Sequence, residues 1–295
     1  MRRLLLPAGV GERRPYMMGT FGAVYRIMNP IYFGSSEAPL FGVYHAPAEG
    51  AIAREAVLIC PPVGHEYMRA HRVLHQLAET LAAGGMHVLR FDYAGTGDSW
   101  GEAEAATLEG WRQSILTAWD ELRDTSGVER ISVVGMRLGA TLAAHALVAA
   151  RGLRTLVLWD PVVDGGVFLE EIEALQRDRI GDFEAGRLGR RKPVSEDTDT
   201  IMGFAFSAAL REGIRGLRLL PPGTGAVPGR VGVVGSAERS GDAALCAAYT
   251  ALGSAVTYRV LADAGDWRDF RVAGGVMLAG GLVREVVAML GGEAR

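Results

Sequence analysis

Two hundred and ninety-five residues, 49% hydrophobic, 7% aromatic and 22% charged, are enough for one large buried core and too apolar for a disordered chain. A formal net charge of −3 offers no basic footprint for nucleic acid or an anionic membrane surface. Two cysteines, Cys60 and Cys246, are too few for a disulfide framework or a zinc cluster, and no apolar run approaches the roughly 18 residues that would suggest a membrane span.

Residues 1–27 read as an N-terminal arm. The leucines of Met1–Leu6 are cut off by Pro7 and Gly9, too short a stretch for a secretory signal, and the chain reads as cytoplasmic. Ile31–Gly34 and Leu40–His45 flank Ser35-Ser36-Glu37 and predict an antiparallel hairpin. Ala56–Cys60, stopped by Pro61-Pro62, has the continuous apolar character of a strand buried on both faces. Val73, Leu74, Leu77 and Leu81 follow at helical spacing until Gly84-Gly85. His87–Phe91 is the next buried strand. Trp111, Ile115, Trp119 and Leu122 mark a helix closed by Gly127. Ile131–Val134 is a third core strand, Ala140–Ala150 a helix and Leu156–Trp159 a further strand.

From Pro161 to about Gly229 the alternation stops. Leu169–Leu175, a charged segment Arg187–Asp199, an apolar helix near Phe204–Leu217 and Pro221-Pro222 make a stretch too long for a loop, which predicts a helical cap insertion at 161–229. Alternation resumes with Val231–Val234, Ala243–Leu252, Val256–Leu261 and Val276–Leu290. The expected fold class is α/β: a three-layer core from residues 28–160 and 230–295, with a mostly parallel sheet.

Ile131–Ala140 carries the most chemistry. A strand runs into Gly135-Met136-Arg137-Leu138-Gly139 and then into an alanine-rich helix, where two glycines permit a sharp turn that lifts the central side chain above the sheet. Here that side chain is Arg137. Gly95-x-Gly97 lacks the third glycine of a dinucleotide fingerprint, and no helix opens directly after it.

In these features the chain resembles the α/β-hydrolase superfamily over roughly residues 31–290. The segment Leu58–Gly64 is similar to the strand and oxyanion loop that usually reads His-Gly-x-Gly. Phe91–Ser99 resembles the Asp-x-x-Gly-x-Gly-x-Ser turn, and Val260–Trp267 the segment that normally ends Ala-Gly-His-Phe. Pro61-Pro62 with Glu66 and Arg72, the Gly-Met-Arg-Leu-Gly turn, and Leu158–Val162 are similar to the exosortase A system-associated hydrolase type 2 group, within a serine aminopeptidase-like set. The resemblance implies a hydrolase-like three-layer sandwich and a Ser-His-acid triad, and the triad is missing. Arg137 stands at the serine position, Glu238 at the acid position and Asp266 at the histidine position. All six histidines precede residue 146. A guanidinium does not deprotonate in proteins and cannot serve as the nucleophile.

The alignment implies that Arg137 faces Glu238 and Asp266, with Glu66 reaching it from the other side, because a buried arginine is costly unless paired. Two roles stay open. Arg137 either binds an anion or oxyanion while Asp266 or Glu66 acts as general base, or it plugs a dead site as a salt bridge. His65, after Val63-Gly64 at a strand's C-terminal end, is the second catalytic candidate. The amides of Val63 and Leu138 should form the oxyanion cavity, and Asp160 and Trp267 should contact substrate, although Asp160 reads equally well as a helix cap. His71 and His75, four apart, read as surface residues rather than metal ligands. Cys60 reads as packing, and Asp92 and Asp98 as stabilisers of their own turn.

The expectation that follows is acid–base chemistry (lyase, cyclase, epimerase or non-serine hydrolysis) on an apolar acyl or peptidyl small molecule in a biosynthetic pathway. It includes no cofactor or metal, no nucleic-acid partner and no membrane span. The oligomeric state is open, a homodimer among the options. The alternative is a non-catalytic pseudo-hydrolase that binds an anionic ligand or serves as a scaffold.

Overall fold

In the computed structural model, residues 28–48, 50, 51, 53, 55–148, 150–184, 199–219, 227–261 and 280–291 are described. The arm at 1–27, residues 187–198, Pro221-Pro222, Asp266 and Trp267 lie outside them. The hairpin is β1 (Met28–Gly34) with β2 (Pro39–His45); β3 (Ala56–Cys60), α1 (His65–Ala83) and β4 (His87–Phe91) follow. Next come α2 (Leu108–Ser126), β5 (Ile131–Met136), α3 (Leu138–Ala146) and β6 (Leu153–Trp159). Then α4 (Gly165–Glu184), a small hairpin of β7 (Thr200–Ile201) and β8 (Phe204–Ala205), and α5 (Ala208–Arg215) precede β9 (Arg230–Gly235). The described chain closes with α6 (Ser240–Ala251), β10 (Ala255–Val260) and α7 (Gly280–Met289).

Eight strands form one sheet in the order β1-β2-β4-β3-β5-β6-β9-β10. The first two join it antiparallel, and every pair from β4 to β10 is parallel. Side chains on a strand alternate between faces, so β3 feeds both cores: Leu58 and Cys60 pack toward α2 and α3, while Val57 and Ile59 pack toward α1 and α7. Trp111, Ile115, Trp119 and Leu122 of α2 lie in the first core, and Val73, Leu74, Leu77 and Leu81 of α1 in the second. Each such side chain contributes about 1.5–3 kcal/mol of burial. Thr107 caps α2 by accepting from the Gly110 amide at 3.1 Å, and Gly127 ends it at φ 66°. None of the described helices is long and apolar enough to cross a membrane.

Three elements depart from their predicted bounds. α1 begins two turns before its apolar repeat, because its first turn buries the polar pair His65 and Glu66. α3 starts at Leu138, directly on the turn. The helix expected from Phe204 begins at Ala208, since Phe204 pairs with Ile201 across Met202 and Gly203, both at positive φ as a two-residue hairpin turn requires.

Candidate functional site

The turn between β5 and α3 is set by two close approaches. A Cβ on Gly135 would lie 2.4 Å from the Ala140 Cα, and one on Gly139 would lie 2.2 Å from the Pro61 carbonyl oxygen. The start of α3 therefore presses against the end of β3, and the chain between the glycines bends sharply. Arg137 takes φ 53° and ψ −125°, its amide donating to the Trp159 carbonyl at 2.9 Å. Val63, between β3 and α1, and Leu138, the first residue of α3, are both buried.

Arg137 is 2% exposed. Its Nε–H donates to Glu66 Oε1 at 2.8 Å, one terminal nitrogen to Glu171 Oε2 at 3.0 Å, and the other to the Asp160 carbonyl at 3.4 Å. The Phe168 ring sits 5.6 Å from the guanidinium carbon. Burial works against the Arg137 charge, but Glu66, Glu171 and Asp160 outweigh it and hold its pKa above the ordinary arginine value. Glu66 is pulled two ways: burial raises its pKa, Arg137 lowers it, and burial wins. Its second oxygen, Oε2, is buried without a hydrogen-bond partner among the described residues.

His65 opens α1 beside this cluster and is buried. Burial first, then Arg137, Arg69 and Arg179, lower its pKa to about 4, against the opposing pull of Glu171. The imidazole is therefore neutral at physiological pH.

Asp160 has no exposed surface and φ 44°. Its Oδ1 accepts from the Ser236 amide at 2.8 Å and the Ser236 hydroxyl at 3.1 Å, with Arg239 at 3.7 Å. It ties the end of β6 to the loop after β9, and the start of α4 is capped by Asp164, which accepts from the Gly166 and Val167 amides at 2.8 and 3.1 Å. Nearby Asp242 is buried, its carboxyl pKa raised by burial, and accepts from the Tyr258 hydroxyl at 3.2 Å.

The structure brings Arg137, Glu66, Glu171 and the backbone of Asp160 together, with His65 electrostatically coupled to Arg137 and Glu171. It leaves Glu238 exposed on the loop after β9. Beside Glu66, Glu171 supplies a second carboxylate to Arg137. Sequence reading missed Glu171 and Phe168, although their i, i+3 spacing on one helix face is the pattern that lets both reach a single group. Cys60 is fully buried, and burial pushes its thiol up and out of reactive range. Asp92 serves its own turn, accepting from the Asp98 amide at 3.1 Å, and also takes the Tyr67 hydroxyl at 2.9 Å. Among the described residues, no group of three or more His, Cys, Asp or Glu side chains is arranged to hold a metal ion.

No family model matches the chain. Human palmitoyl-protein thioesterase ABHD10, mitochondrial, is 36% identical over 83 residues, covering 28% of this chain and 26% of that protein; the Pongo abelii protein of the same name gives the same figures. The match thus spans about a quarter of the length of these relatives. Among solved structures, an esterase of Pyrococcus furiosus superposes with a TM-score of 0.62 at 15% identity, covering 94% of this chain and 95% of its own. Est1E of Butyrivibrio proteoclasticus, solved with ferulic acid, gives 0.58 at 18% identity over 88% of this chain and 98% of its own. Strand order, parallel register and these superpositions agree on one architecture: the chain has the α/β-hydrolase fold.

Proposed function

We propose that this chain uses the hydrolase fold without acyl-serine chemistry and acts by binding. In this reading Arg137 stands where hydrolases of the fold carry their nucleophile, as a structural cation, and the 161–229 segment is the cap fastened to it. The observation that carries the proposal is the burial of Arg137 among protein partners. It is 2% exposed, and each guanidinium nitrogen already bonds the protein. A cation buried and held at all three nitrogens is fixed toward its protein partners rather than aimed at a developing oxyanion, which needs pre-aimed donors left open for it. The ligand class we favour is acyl. The names of the similar proteins include a thioesterase and an esterase, and the aromatic residues Phe168 and Phe206 lie over Arg137 and Gly64.

A second reading, proton transfer, has one observation in its favour. His65 is pushed down to about 4 while the adjacent Glu66 is pushed up, and such opposed shifts side by side mark acid–base pairs. Asp266 belongs to that reading as a further base.

Labelling and binding together decide between the two. A fluorophosphonate probe should leave the protein unmodified, and p-nitrophenyl acyl esters should turn over no faster than in buffer. A panel of fatty acids and N-acyl amino acids should raise the melting temperature without being consumed. Stoichiometric labelling of any serine would overturn the proposal. Turnover of a panel member that Glu66→Gln abolishes at an unchanged melting temperature would establish the second reading instead.

A further inference from the structure

Four of the six histidines lie away from the Arg137 cluster, around the seam where the antiparallel hairpin joins the parallel sheet. That seam is the pairing of β2 with β4, running from Gly42↔Phe91 to His45↔Val88. On one face of it the Tyr44 hydroxyl meets His87 Nδ1. On the other face the Arg90 Nε–H donates to His45 Nε2 at 3.3 Å, and a terminal nitrogen of Arg90 meets His75 Nδ1 at 3.4 Å. His45 is 2% exposed, and its ring lies 5.9 Å from that of His75.

The two bonds from Arg90 share one requirement. Arginine only donates, so His45 Nε2 and His75 Nδ1 must both be bare nitrogens. Protonation of the His45 ring removes its acceptor and sets a second positive charge against Arg90. Charged and titratable groups face the joint from both sides. His75 lies 3.6 Å from Glu79 on α1. Arg90 feels Tyr67 and Glu79 of α1 and Asp92 beyond β4. His71 of α1 feels Arg90, His75 and Asp92. β1 contributes no titratable group besides Tyr32. The carboxylates soften the repulsion, but Asp92 is already committed to Tyr67 and the Asp98 amide.

We propose that the β2–β4 seam is an acid-sensitive joint: imidazole protonation releases the β1–β2 hairpin from the sheet while the parallel strands stay folded. The mechanics favour the hairpin over any other element. It is attached to the sheet along a single strand pairing, and the histidine bonds straddle that pairing on both faces. Burial, with Arg90 and His75, lowers the pKa of His45 to about 4, and burial lowers that of His87. The closed seam therefore resists protons that the opened one accepts.

Native-state hydrogen exchange in sub-denaturing urea, at pH 7.5 and 5.5, tests this above the carboxylate range. With a free imidazole near 6.5, buried His45 alone should favour opening by about tenfold between those conditions. Amides of residues 28–45, corrected for intrinsic exchange, should lose protection by at least that factor. They should also exchange faster than β5 amides at pH 5.5, with little urea dependence. Equal protection of hairpin and β5 at pH 5.5, or hairpin protection unchanged from pH 7.5, would overturn the proposal. In the triple variant His45→Gln, His75→Asn and His87→Asn an amide oxygen stands near each acceptor nitrogen and cannot titrate. Its hairpin protection should be flat across the two conditions, and a retained step would also overturn the proposal. If the variant does not fold, the wild-type comparison alone decides.

Discussion

Arg137 combines φ 53° with a buried guanidinium, and each of these alone destabilises a chain by about 1–3 kcal/mol or more. Both are tolerated because the same side chain satisfies Glu66, Glu171 and the Asp160 carbonyl. Arg137→Met keeps the aliphatic stem and strands the carboxylates, so a urea melt should show a loss of about 3–5 kcal/mol. The two carboxylates are not equivalent. The Glu66 side chain is 4% exposed and Glu171 26%, so only the first is cut off from water. Adding Glu66→Gln to Arg137→Met should recover most of the loss, and adding Glu171→Gln little of it; the reverse ranking would contradict the structural role. Gly139→Ala should cost about 3 kcal/mol or more in the same melt, since its methyl would meet the backbone oxygens of Pro61 and Cys60, which cannot turn aside. Charge logic made Arg137 and Glu66 legible in the sequence, because a buried cation demands a partner. Glu171 was not legible: it comes from a segment whose path over the sheet no periodicity fixes.

α4 is held over the β5–α3 turn by a small number of polar ties. Glu171 and Phe168 meet Arg137, Glu173 takes Arg211 of α5 at 2.8 Å, and the Gly165 amide donates to the Leu217 carbonyl at 3.0 Å. Glu171→Gln should speed hydrogen exchange in 165–184 by severalfold while leaving β5 and β6 unchanged; equal changes in both would mean α4 has no independent opening. The sheet elements were legible because apolar runs and glycine or proline stops coincide at β3, β4 and β5. The first turn of α1 was not, since it faces the Arg137 cluster with polar residues and carries no apolar period. β7 and β8 were hidden for another reason: two-residue strands are too short to show alternation.

Across the whole molecule, the two most deeply buried histidines contribute strongly to the response to acid. His45 and His65 stay neutral in the folded chain down to about pH 4, while the unfolded chain takes up those protons near 6.5. The unfolded state thus binds more protons within that window, so stability should fall as pH drops from about 6.5 to about 4 and then level off. Glu66 and Asp242, whose folded pKa values are raised, act in the opposite direction and should flatten the acid end of the curve. Urea midpoints at pH 7.5, 6.5, 5.5 and 4.5 should trace that slope, and His65→Asn should reduce it; a midpoint independent of pH would refute the assignment. The Arg137 cluster also fixes the order in which changes at this position are tolerated. A serine introduced at residue 137 with both glutamates in place leaves a buried anion beside the new hydroxyl, whereas the same serine after Glu66→Gln does not. On the proposed binding role, a mutational route toward an acyl-transferring form would pass through neutralisation of Glu66 before a nucleophile at residue 137.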